Sequence, residues 1–155
     1  MWLELIRWAH VLGACVLLGT GAGIAFFMAM ANATRDARHI TLTARTVILA
    51  DWLFTATSVI AQPVTGALLA YQTGWRLTEG WILASLGLYG VTGMFWLPVV
   101  RIQYRLHALA GRADADGSPL PPAYTRLYRI WFLCGIPAFL AVLTILWLMI
   151  ARPDL

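Results

Sequence analysis

Four long apolar stretches, separated by short polar ones, dominate the chain. They run from about Leu3 to Met30, Val47 to Tyr71, Trp81 to Val100 and Trp131 to Ile150. A helix needs about 20 apolar residues to cross a bilayer, and each stretch is that long. The pattern therefore predicts four transmembrane helices in an all-α, polytopic bundle forming a single domain over residues 1–155. Between the first two stretches lies the polar segment Ala31–Arg45, and between the second and third the short Gln72–Gly80. Arg101–Ile130 is the longest connection, with turn formers at Asp114–Pro119 and Pro121-Pro122. Residues Arg101 to Ala110 are expected to prolong the third helix beyond the membrane. The first apolar run, Val11 to Met30, exceeds the core of a signal peptide, about 7–15 residues, and is expected to be retained.

Composition strengthens this picture. Of 155 residues 61% are hydrophobic and 12% charged, half the charge of a typical soluble domain, so a water-facing surface could not be built. Eight tryptophans suit a protein with two membrane–water interfaces to anchor. The net charge of +4 is carried entirely by arginine, beside the apolar runs, so it reads as a topology signal and a set of lipid-headgroup contacts rather than a nucleic-acid surface. The first and third connections hold Arg35, Arg38, Arg45, Arg101, Arg105, Arg112, Arg126 and Arg129. Only Arg7, Arg76 and Arg152 lie on the other side. Eight against three predicts both termini outside and the basic connections in the cytoplasm, in a bacterial inner membrane. Gly19 and Gly23 on the first helix, and Gly87, Gly90 and Gly93 on the third, are expected to be helix-packing faces.

Polar side chains within a span require a reason. His10 lies about two turns into the first helix, with Gly13, Ala14 and Leu17 on its face. An imidazole there can ligate haem iron or another metal, relay a proton, or simply hydrogen-bond near the interface; small neighbours leave space for a flat macrocycle. On the second helix Asp51, Thr55, Ser58 and Gln62 follow one another at i, i+4, i+7 and i+11, a single polar stripe that Gly66 continues. The stripe is expected to face the bundle interior, as a proton or substrate path or as interhelical glue, with Asp51 paired to Arg101 or Arg105. Depth places His10 and Gln62 together in the outer half. Cys15 and Cys134 are expected to be small buried hydrophobes without a disulfide, and His39 and His107 to be solvated. Met28 and Met30, two apart on a helix, do not face one another as a copper site would require. Nucleotide-binding and hydrolase motifs are absent.

Several motifs together carry a resemblance. Trp8-Ala9-His10-Val11-Leu12-Gly13, Ala50-Asp51-Trp52-Leu53-Phe54, Gln62-Pro63-x-x-Gly66, Phe95-Trp96-Leu97-Pro98 and Gly135-Ile136-Pro137-Ala138-Phe139 resemble a bacterial family of predicted integral membrane proteins of unknown function, DUF2269, over essentially the whole chain. The first helix, with Trp2-x5-Trp8-Ala9-His10 and its spaced glycines, is also similar to that of the membrane protoporphyrinogen oxidases and of the copper-resistance D proteins. In the oxidases this histidine is implicated in b-type haem binding, which the resemblance carries onto His10. The oxidases also use a lysine near the start of the equivalent of the third helix; here Gly80-Trp81-Ile82-Leu83-Ala84-Ser85 has none, which puts protoporphyrinogen oxidation in doubt. The expectation is a haem-b-binding membrane redox or haem-handling protein, with His10 as axial ligand and the Asp51–Gln62 stripe supplying protons. No second axial ligand is evident in the sequence; Met149 offers a thioether, close to the outer surface. The alternatives are a non-enzymatic scaffold subunit, as a homodimer or within a larger membrane complex, and transport of copper or a small solute.

Overall fold

The computed structural model describes all 155 residues and contains four long helices, each apolar enough to cross a membrane: α1 (Trp2–Thr34), α2 (Ala37–Thr73), α3 (Gly80–Ala115) and α4 (Pro122–Ala151). At 1.5 Å per residue they are about 45–55 Å long, well beyond a hydrocarbon core of about 30 Å. All four therefore project from the bilayer.

The projecting parts correct the expected boundaries. α2 begins at Ala37 rather than Val47, α3 runs on to Ala115, and α4 begins at Pro122 rather than Trp131. An apolar run marks only the lipid-embedded length of a helix. The extensions are amphipathic instead: Ile40, Ala44 and Val47 are buried while Arg38 and Arg45 are exposed. Leu106, Ala110 and Ala113 do the same for α3, and Tyr124 for α4.

Local chemistry sets the connections. Arg35 ends α1 in the left-handed region at φ 55°, and its N–H donates to Asn32 O. Asp36 then caps α2, its Oδ1 accepting from Arg38 N at 3.0 Å. Gly74, at φ 78°, closes α2 where a β-carbon would be strained. Pro122 opens α4 at a position where a missing N–H costs nothing.

The tightest packing lies at the arginine-rich end. Met28, Ala31, Ile40, Ala44, Leu106, Ala110, Tyr124 and Trp131, from all four helices, form one cluster there. At the opposite end Trp75 and Trp81 pack edge to face, 5.6 Å apart, and the Arg152 guanidinium lies 5.8 and 5.9 Å from their rings. Only 21 residues of the chain are buried, and leucines, phenylalanines and tryptophans cover the outside, as lipid permits and water would not.

Some expected contacts are absent. A β-carbon added at Gly19, Gly23, Gly87, Gly90 or Gly93 would meet nothing within 4 Å, so these glycines do not join helices of one chain. They stand on faces that the other three helices leave uncovered. Cys15 is exposed on the outside of α1 rather than buried; Cys134 is half-buried, and both thiols are free. His39 is exposed, as expected of a solvated histidine, whereas His107 is half-buried on the α3 extension.

Candidate functional site

His10 is held by α2 through three contacts. Its Nδ1 lies 2.7 Å from Thr65 Oγ1. The Gln62 amide Nε2 donates to the His10 carbonyl at 2.8 Å. Gly66 lets the imidazole lie against the helix, because a β-carbon there would come within 3.3 Å of His10 Cε1. His10 and Gln62, placed in one half of the membrane by depth, are thus in direct contact.

The space at Gly13 has a different occupant from the expected macrocycle. A β-carbon on Gly13 would collide with the Gln62 carboxamide, so that gap seats the glutamine. Gly13 and Gln62 accordingly position the backbone that carries His10. Ala14, the next small residue on that face, is half-buried.

Thr65 decides the protonation pattern of the ring. Its hydroxyl has one proton, and Ala61 O lies 2.7 Å away as acceptor, in the back-bond that threonine commonly makes in helices. We assign that proton to the back-bond, which makes Thr65 Oγ1 the acceptor of His10 Nδ1–H. A neutral imidazole protonated at Nδ1 has its lone pair on Nε2. An anchored Nδ1–H and a free Nε2 is the arrangement typical of a histidine ligand, in which the second nitrogen's hydrogen bond sets ring orientation.

The polar stripe resolves into two parts. Gln62 belongs with His10, whereas Asp51 and Thr55, 4% and 6% exposed, bracket a π-helical turn nearer the basic end, with buried Ser58 between the two sites. Within that turn Ala56 N–H donates to Asp51 O, five residues back, which widens the helix locally. Asp51 Oδ1 accepts from the Trp96 indole N–H at 3.3 Å, and the side chains of Thr55 and Gln103 also lie close to the carboxyl. The expected pairing of Asp51 with Arg101 or Arg105 does not occur: both arginines are exposed, and the chain's one ion pair is Arg7–Glu4 at 3.3 Å. Arginines at this depth reach toward the interface, since their long side chains gain by keeping the charge in water.

Pro63 links the second helix to the third. Proline has no N–H, so the Val59 carbonyl four residues earlier loses its helical partner. The Tyr89 hydroxyl of α3 donates to that carbonyl instead.

Thr65, Trp96 and Gln103 are site residues that the sequence reading passed over. Thr65 follows Gln62 by three positions, so helical spacing from a residue already singled out was the available signal there; Trp96 stands in the Phe95–Pro98 motif, and Gln103 follows it by seven. No group of three or more histidine, cysteine or acidic side chains is placed to hold a metal. Met149 is half-buried on α4 and Met28 fully buried, while Met30 is exposed.

Comparison with known proteins finds no match among curated proteins and none among solved structures, so the likeness of α1 to the oxidases and copper-resistance proteins rests on its residues alone. A family described as predicted integral membrane protein (DUF2269) matches residues 4–153, all four helices, and the chain belongs to that family.

Proposed function

We propose that the protein binds haem b through His10 Nε2 and acts in membrane redox chemistry or haem handling. The observation that carries this reading is the 2.7 Å contact of His10 Nδ1 with Thr65 Oγ1, which, with the threonine proton assigned to Ala61 O, leaves Nε2 as the free lone pair. Bound haem would supply reversible one-electron chemistry at iron. The chain's own part is to hold and orient the ligand: Gln62 locks the α1 backbone, Thr65 sets the tautomer, and Gly66 gives the ring room. The membrane is the bacterial inner membrane, with the termini outside and the haem toward the outer leaflet, as the arginine distribution implies.

The test is an absorbance spectrum of the detergent-purified protein, oxidised and dithionite-reduced, with pyridine haemochrome quantitation. Stoichiometric b-type haem is expected in the wild type, with loss of the Soret band in His10→Ala. Thr65→Val should retain some haem with an altered spectrum. A colourless protein from haem-replete cells, or full haem in His10→Ala, would overturn the reading.

One observation favours a second reading, a scaffold subunit in a homodimer or larger complex. The glycine faces of α1 and α3 meet nothing within the chain, and such faces are where helices associate in lipid. Stoichiometric co-purification with a partner, without bound cofactor, would support it.

A further inference from the structure

Three buried oxygens between α2 and α3, Asp51 Oδ2, Thr55 Oγ1 and Gln103 Oε1, make no hydrogen bond of ordinary geometry, although the Thr55 and Gln103 side chains lie close to the carboxyl. Their residues are 4%, 6% and 1% exposed. Lipid offers nothing to satisfy them, and a buried polar atom left unpaired carries the full cost of its desolvation. The recess that Asp51 and Gln103 share with Ile48, Trp52, Trp96 and Val100 has no room for a water molecule.

Charge points the same way. A buried carboxylate requires a positive partner, and none is supplied. Arg101 and Arg105 on α3 and Arg45 on α2 are exposed and form no ion pair with Asp51. α1 has no titratable side chain between residues 16 and 34, and the only one on α4 within the span is Cys134. The cluster brings together one carboxylate oxygen, one amide oxygen and one hydroxyl, which can itself donate to the carboxylate, from two helices. Hard oxygen donors select small hard cations, and a single carboxylate balances a single positive charge.

We infer that Asp51, Thr55 and Gln103 form a buried binding site for one small monovalent cation, a proton or a dehydrated sodium ion. The proton would sit on Asp51 Oδ2 and be donated to a neighbouring oxygen; sodium would be held by the same carboxylate oxygen with help from its neighbours. Trp96 holds the other carboxylate oxygen and so aims Oδ2 at the site. The π turn places Asp51 and Thr55 together on the inward face. The site is separate from His10 and does not depend on haem.

The test is infrared difference spectroscopy of the full-length protein in lipid nanodiscs, in two arms. One replaces N-methylglucamine by sodium at constant pH; the other steps pH at constant sodium. A carboxyl signal is expected in the wild type and absent from Asp51→Asn. A response in the sodium arm identifies sodium as the ligand, and a response confined to the pH arm identifies the proton. Gln103→Leu, which keeps the carboxylate but removes one oxygen from the site, should shift the midpoint about tenfold, as loss of one polar contact to a bound charge would. Identical difference spectra for wild type and Asp51→Asn in both arms would overturn the proposal. Should Asp51→Asn fail to fold, unchanged midpoints in both Gln103→Leu and Thr55→Val would overturn it equally. A colourless protein with an intact Asp51 signal would sink the haem reading alone.

Discussion

Glycine at position 13 and glutamine at position 62 form one unit. The missing β-carbon of Gly13 provides the space for the Gln62 carboxamide, which hydrogen-bonds the His10 carbonyl. Gly13→Ala should therefore destabilise the protein by about 1–3 kcal/mol, since backbone and carboxamide cannot both keep their places. Gln62→Ala should cost about 1 kcal/mol through the lost hydrogen bond. In the Gln62→Ala background the added methyl meets no obstacle, and Gly13→Ala should become neutral or stabilising, by up to about 1 kcal/mol from helix propensity. Unfolding in mixed detergent micelles measures the cycle; additive effects would mean that the two side chains do not share this space.

Each helix must satisfy its own backbone, because lipid will not do so. Most in-span hydroxyls comply locally: Thr57, Thr92 and Thr144 donate to carbonyls four residues back, which is why Thr57 and Thr144 can face lipid. Pro63 breaks the local rule, and Tyr89 repairs it from the neighbouring helix. Tyr89→Phe should accordingly cost about 1 kcal/mol, within the range of interhelical hydrogen bonds in membranes. The loss should largely vanish in a Pro63→Ala background, where the restored backbone N–H can bond the Val59 carbonyl. Equal losses in both backgrounds would show that the tyrosine hydroxyl has another role. The π turn at Asp51–Thr55 is the other departure from regular helix, and it coincides with the buried oxygen cluster.

Across the whole molecule, stability is concentrated at the basic end, where the four helix extensions close around Leu106, Ala110 and Tyr124. Leu106 is fully buried, so Leu106→Ala should cost about 2–5 kcal/mol, the range for a large cavity in a packed core. Leu140 is 55% exposed, and lipid chains would fill the space left by Leu140→Ala. Its effect should stay within about 0.5 kcal/mol. Thermal unfolding in detergent distinguishes the two variants; equal effects would mean that the cluster is no firmer than the lipid-facing surface.

Hydrophobicity along the chain determined the number of helices, their membrane-spanning lengths and the all-α class, because the bilayer demands continuous apolar runs and leaves few alternatives. Depth along antiparallel helices also brought His10 level with Gln62, since axial position follows from counting residues. Rotation about each axis was another matter. The small residue Gly13 announced space but not its occupant, which is the Gln62 carboxamide. The charge of Asp51 suggested an arginine partner, whereas the fold sets Trp96, Thr55 and Gln103 around it. The helix extensions were hidden because outside the bilayer a helix needs only one apolar stripe. The tertiary structure alone decided which faces meet, and with that which glycines are filled and which stay open, because apolar side chains in lipid gain little by choosing one neighbour over another.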